Sequence, residues 1–517
     1  MFTVRSVISS PLRSPLRAAL RHPTLSKGVG VPQWKLARRL APSVAVPGSG
    51  TIYVSGTSPS VLPAGNDTTG DGSIGAPYAT LTKAMAVLAT SGDKLVLCDG
   101  TFSESTASGG RWILNKLFTA PVVFDSYSGD PANFIITNAS GTSGVINVRS
   151  AQCGKIQIRR ATIRSSTDSN YLFRSNPDTS GHVGSDIRFF DCVWEARTQS
   201  INTLSAIDLS TDFGITALYF VRCLFKKVAG GSTTYLPQLL NSQPTTSTTA
   251  TQPHSDVGFW DCSTTDANWL GFSSSMVAGV AKFTAVRCSF SVTGNHSFLL
   301  GRDTSNDTTP KVTNVYVQGC TMTASGSNPH GALIGSNMQA SGDPTITNNA
   351  MTDGVVFEGN TVNTGLQGIV TKGSINPVID GNTVNHTAAA NGGSSLYPKA
   401  SSGAKYRNNV VNLDGTSFAG YGFHEGADGA NLASGTEFTN NIIRATGANA
   451  TALLWADGTG SSGGATANDN RITLASGAAL GNIRGGHIDT QADLQSVWAT
   501  YNLSGDITTN DSRSTVN

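Results

Sequence analysis

The chain has 517 residues, of which 13% are charged and 38% apolar, with 57 glycines, a composition that can bury a large core and excludes a disordered polymer. Residues 1–50 hold eight of the 35 Lys and Arg and none of the 33 acids, so residues 51–517 carry a net charge of −6. That excludes nucleic acid as a partner of the body, since such proteins show basic stripes on the folded domain. No apolar run reaches the roughly 18 residues that would span a membrane.

The first tract in chain order is "SPLRSPLRAALRHP", Ser10–Pro23. Arg13, Arg17 and Arg21 interrupt every apolar run, and Pro11, Pro15 and Pro23 stop any long helix. A secretory signal needs an apolar segment of about 7–15 residues behind its basic start, so the tract does not read as one. It reads as a basic arm over residues 1–50, with Leu anchors and Arg contacts directed at another protein.

Residues 51–105 follow as strand, glycine-rich loop, short helix and strand. "TIYVSG" alternates, and Leu81, Ala84, Met85 and Leu88 share one helical face.

From residue 106 to 485 a short pattern recurs: alternating apolar residues, a small or amide residue, then another apolar one. It occurs as "IRFFDCVW", "LYFVRCLF", "VVFEGNTV" and "EFTNNIIR", among others. The recurring position holds Cys192, Cys223, Cys262, Cys288 and Cys320, then Asn360, Asn382, Asn409, Asn441 and Asn470. Alternation marks strands, and repetition at one coil's length marks a solenoid. The fold class expected is all-β, a parallel β-helix whose coils stack about 4.8 Å apart. The column of Cys then forms a ladder of small buried hydrophobes. Adjacent coils hold Cβ atoms farther apart than the roughly 3.5–4.5 Å of a disulfide, so the thiols are expected free.

A second recurring strand lies between these anchors, including "FLLGRD", "GIVTKG", "SLYPKA", "GFHEGA" and "LLWADG", and the long insertions follow it. Loops along one edge of a rigid scaffold build a cleft. Aligned coil by coil, the row beside them reads Arg174, Asp208, Asn241, Phe272, Arg302, Ser336, Lys372, Lys399, Glu425 and Asp457. Glycan cleavage needs two carboxylates about 5–9.5 Å apart. Glu425 and Asp457, on successive coils, are the candidate pair, with His424 beside them. Trp455 offers a face for a sugar; Arg302, Asp303, Lys372 and Lys399 complete the candidate substrate contacts, the two lysines suiting a uronate. The spacing of His424, Glu425 and Asp428 matches no standard ligand set, so no metal and no cofactor is expected. Solvated turn charges are the alternative reading of the whole row.

Residues 486–517 are expected to close the stack. "TQADLQSVWATYNLSGD" offers Thr490 as helix cap and puts Leu494, Val497, Trp498 and Tyr501 on one face.

Two resemblances extend these readings. The strand, "GNDTTGDGSIGAPYATLTKAMAVL" and "GDKLVLCDG" resemble the opening of right-handed parallel β-helix proteins of the pectate-lyase-like superfamily, which includes lyases, hydrolases, epimerases and non-enzymes. No catalytic residue of that superfamily can be matched here. "SPLRSPL" resembles N-terminal tracts of bacteriophage tailspike and tail-fibre proteins. That resemblance implies a virion protein at the phage tail, an extracellular site of action, a host surface polysaccharide as ligand, phage tail or adaptor proteins bound through residues 1–50, and a homotrimer. A secreted polysaccharide lyase or hydrolase and a non-catalytic adhesive solenoid are the alternatives.

Overall fold

A computed structural model describes residues 40–104, 111–138, 144–148, 152–165, 171–175, 183–196, 205–209, 216–227, 238–241, 256–264, 272–275, 282–293, 296–302, 312–326, 329–336, 352–389, 392–426, 433–455, 465–483, 486–488, 507–509 and 515–516. The chain divides after Leu40 into two units, and the second, from Ala41, is the body. Arg13, Arg17 and Arg21 lie outside the described residues.

A strand, a short helix and a second strand form between residues 51 and 103. Thr51–Ser55 pairs in parallel with Lys94–Ser103. Between them the helix Leu81–Val87 starts at Thr80, whose hydroxyl accepts from the N–H of Lys83, and it buries Leu81, Ala84 and Met85. Asp99 pins the intervening loop by accepting from the N–H groups of Val61 and Leu62 at 2.6 and 2.7 Å. Burial pushes its carboxyl up, but the hydrogen bonds from Leu62, Ser60 and Val61 outweigh this and hold it below the usual range.

Each later coil adds one strand to each of three faces. The first sheet runs from Thr51–Ser55 through Gln152–Arg159, Val183–Phe190 and their successors to Ala465–Asn468, every neighbour parallel. After one bend, the second sheet runs from Gly100–Ser103 to Arg471–Ala475. The third comprises a first run from Trp112–Leu114 to Gln238–Asn241 and a second from Phe272–Ser275 to Ala479–Ile483. This is a right-handed parallel β-helix, the hand that strand–crossover–parallel strand connections take. Inward rows fill it: Phe189, Phe220 and Phe259 stack face to face, with centroids 5.2 and 4.9 Å apart.

The bend between the first two sheets explains the ladder. The residue just before each ladder position is left-handed: Asp191, Arg222, Asp261, Arg287, Gly319, Gly359, Gly381, Asn408, Asn440 and Asp469 all have φ between 52° and 64°. The turn tips the next side chain inward. The cysteines are all buried and free, and most donate to a carbonyl of the coil before, as Cys262 does to Phe220 at 3.4 Å. The asparagines do more. Asn382 Nδ2 donates to Phe357 O at 2.9 Å and to Asn409 Oδ1 at 3.0 Å, while Asn382 Oδ1 accepts from the Asn360 N–H. The left-handed residues themselves form outer ion pairs, Arg222 with Asp191 at 2.6 Å and Arg287 with Asp261 at 2.7 Å. At this exposure each contributes at most about 1 kcal/mol.

Two expectations about the ends change. The tract expected to be an arm up to residue 50 belongs to the body from Ala41: Ala41 and Val44 pack on an apolar stripe outside the first sheet. Further along it, Ala45 N–H donates to Gln157 Oε1 at 2.9 Å and Gly48 N–H to Asp93 Oδ1 at 2.8 Å. At the other end, Ile507–Thr509 and Thr515–Val516 extend the first and second sheets by a further strand each, so the coils run past residue 485. The helix expected from Thr490 lies outside the described residues.

Candidate functional site on the third sheet

All ten strands of the second recurring pattern form, from Tyr171–Ser175 to Ala450–Trp455. Their register corrects the row aligned from sequence. Asp208 pairs with Arg174 and Asn241, Arg302 with Ser336, and Lys372 with Lys399, as aligned. Phe272, however, pairs with Phe298, and Lys372 with Gly335. Lys399 pairs with Gly426, which puts Glu425 opposite Pro398. Successive strand residues face opposite sides, so this one step moves Glu425 to the other face.

Glu425 is accordingly fully buried, and not the exposed turn charge expected. Its column continues inward-facing Ile334 and Thr371. Around that column lies an internal polar cluster: Thr371 Oγ1 is 3.0 Å from the Tyr406 hydroxyl, and Ser401 Oγ donates to Thr371 O at 2.8 Å. Burial pushes the Tyr406 hydroxyl far above its ordinary range. A carboxylate in this position cannot meet a polymer at the surface. Lys372 is also fully buried, and Lys399 half-buried.

The outward side of the same strands carries a set that the sequence row missed. Gly368, Ser395 and Gly422 are small where the strands dip inward; a Cβ on Gly422 would meet Ile443 at 2.7 Å. Phe423 also turns inward, Tyr421 and His424 on either side of that pair are half-buried, and Tyr397 next to His424 is buried with Leu333 and Val370. Tyr397 and His424 stack with ring centroids 4.2 Å apart and 9° between planes, and Tyr421 lies 5.5 Å from His424. Ser394 Oγ is 3.0 Å from His424 Nδ1 and orients the ring. The half-buried rings of Tyr421 and His424 suit the alternating C–H and O–H faces of a sugar. Strict alternation would set Tyr421 and His424, three residues apart, on opposite sides; Gly422 and Phe423 both turn inward and break it, so the sequence carried no signal for this pair.

Of the remaining candidates, Arg302 and Trp455 end their strands, but their side chains lie outside the described residues, as do Asp303 and Asp457 entirely. No group of three or more His, Cys, Asp or Glu able to hold a metal occurs among the described residues. No described helix is long and apolar enough to cross a membrane.

No protein-family model and no curated protein matches the chain. Solved structures similar to it include a rhamnogalacturonan lyase at 12% identity, covering 76% of this chain and 82% of that one with a TM-score of 0.38. Another is the A-module of a mannuronan C-5 epimerase from Azotobacter vinelandii, at 12% identity, 82% and 90% coverage and a TM-score of 0.34. Tailspike protein 3 of bacteriophage CBA120 matches at 11% identity over 82% of this chain and 52% of its own length, with a TM-score of 0.30. The parallel register of its own strands makes this chain a right-handed parallel β-helix protein.

Proposed function

We propose that the chain is a tailspike-like or tail-fibre-like virion protein that holds host surface polysaccharide against its third sheet. The observation that carries the ligand class is the half-buried pair His424 and Tyr421 on a rigid ladder, with His424 stacked on the buried Tyr397 and the half-buried Lys399 on the adjacent strand. The Lys399 cation favours a sugar bearing a carboxylate, and the rings of Tyr421 and His424 supply the stacking face. Arg302, Asp303, Trp455 and Asp457 follow the same strands in sequence and extend the proposal into the bordering loops. The "SPLRSPL" tract and the charge split support the phage setting, with the basic leader bound to tail or adaptor proteins and the assembly a homotrimer.

Retention on immobilised alginate and polygalacturonate tests the ligand class. Tyr421→Ala, His424→Ala and Lys399→Ala each lower it about tenfold, the effect of losing one good contact. Unchanged retention in all three places the site elsewhere. Reducing-sugar release from the same polymers separates a depolymerase from an adhesin, and a loss of that release in His424→Ala far beyond its loss of retention assigns the ring an acid–base role.

A further inference from the structure

The outer face of the second sheet differs from the other two. Two outward columns run along it in register. One reads Ser263, Ser289, Thr321, Thr361, Thr383 and Val410; the other includes Ser291, Thr323, Asn363, Asn385 and Asn412. All of these side chains are partly or fully exposed, and none is charged. Charge returns at the two ends, with Arg164, Glu195 and Lys226 below and Arg444 and Arg471 above, and at the exposed Asp414 beside Asn412.

The amides are locked together. Asn363 Nδ2 donates to Thr323 Oγ1 at 3.1 Å, Asn385 Nδ2 to Asn363 Oδ1 at 2.9 Å, and Asn412 Nδ2 to Asn385 Oδ1 at 2.9 Å. Arg444 closes the run by donating to Asn412 Oδ1 at 3.2 Å. A carboxamide has two N–H donors and two acceptor lone pairs, so a head-to-tail run leaves one donor and one lone pair of each amide facing outward. The hydroxyls of Thr361 and Thr383 repeat beside them at the strand spacing of about 4.8 Å. The result is a flat, preorganised array of uncharged donors and acceptors over about 24 Å, from Ser263 to Val410. An array whose rotamers are already fixed loses little conformational entropy when a ligand adds to it.

We infer that this face binds a neutral, hydroxyl-rich polysaccharide strand, separately from the third sheet. A chain of hydroxyls both donates and accepts along its length, as the array does. An anionic polymer finds no cation across the central strands, and an apolar partner would leave the amides unsatisfied. A second copy of this chain is the rival occupant.

The full chain is passed over amylose, dextran and curdlan matrices and, in parallel, over alginate. Retention on at least one neutral matrix is expected. Asn385→Lys and, as a second variant, Thr383→Arg should each lower it about tenfold without changing the urea unfolding midpoint, because both positions are outward. Tyr421→Ala should leave neutral retention unchanged, which keeps this outcome distinct from the alginate result on the third sheet. No retention on any neutral matrix, or wild-type retention by folded variants at both positions, overturns the inference. So does a change of mass in solution in place of a change in retention, which assigns the face to self-association.

Discussion

The backbone N–H of Cys320 donates to Asn360 Oδ1 at 2.8 Å, joining the thiol ladder to the amide ladder. Above this joint Asn360, Asn382, Asn409 and Asn441 each serve three coils at once, accepting from the backbone of the coil below and donating both to a carbonyl there and to the amide above. Below it the ladder thiols make weaker bonds at 3.3–3.7 Å. Asn382→Ala strands the Phe357 carbonyl and the Asn360 N–H in a dry interior. It should cost about 3 kcal/mol in urea unfolding, against about 1 kcal/mol for Cys223→Ala.

The thiols are buried as well as free, and burial pushes Cys153 up to about 12 and Cys98 well above its ordinary value. Thiol titration of the native protein should therefore find almost no reactive group, and titration in denaturant should find all seven. Disulfides found in the native protein would contradict the coil register.

His386 and His330 give the body an acid limit. Burial, above all, lowers each to about 4 from an ordinary 6.5. The unfolded chain takes up protons as pH falls through 6.5, and the folded chain only near 4. Stability is thus level above pH 6.5 and is lost between about 6.5 and 4, on the order of 3 kcal/mol for each ring. Urea midpoints measured across this window should show the fall, and His386→Gln with His330→Gln should flatten it.

The register of the third sheet predicts opposite outcomes for neighbouring substitutions. Glu425→Lys places an uncompensated cation in the interior and should cost more than about 4 kcal/mol or prevent folding. Tyr421→Lys, on the outward side, should change the unfolding midpoint by less than about 1 kcal/mol. Thermal unfolding of the pair checks this, and equal effects would place both residues on the same side.

Removing residues 1–40 leaves the contacts of Ala45 and Gly48 intact, so the shortened chain should fold with an unchanged midpoint. On the proposed function it should no longer join virions. Normal incorporation into particles would refute the anchoring role of Arg13, Arg17 and Arg21.

Local signals carried most of the fold into the sequence. Alternation at each strand, and a Cys or Asn placed directly after each bend, are properties of a few adjacent residues, and they were legible at every coil from Cys192 to Asn470. The buried helix face of Leu81, Ala84 and Met85 was legible for the same reason. The cross-strand partner of Glu425 was not. Loop lengths differ from coil to coil, so counting from one strand to the next does not determine which residue lands opposite Lys399. Backbone pairing put Gly426 there, and a period of two turned that single step into the difference between surface and interior. Tyr397 and His424 are 27 residues apart in sequence, and only the stacking of their two coils brings the rings to 4.2 Å. Likewise, Asn363, Asn385 and Asn412 are separate polar residues along the chain, and become one continuous row of amides only because the coils repeat at the strand spacing.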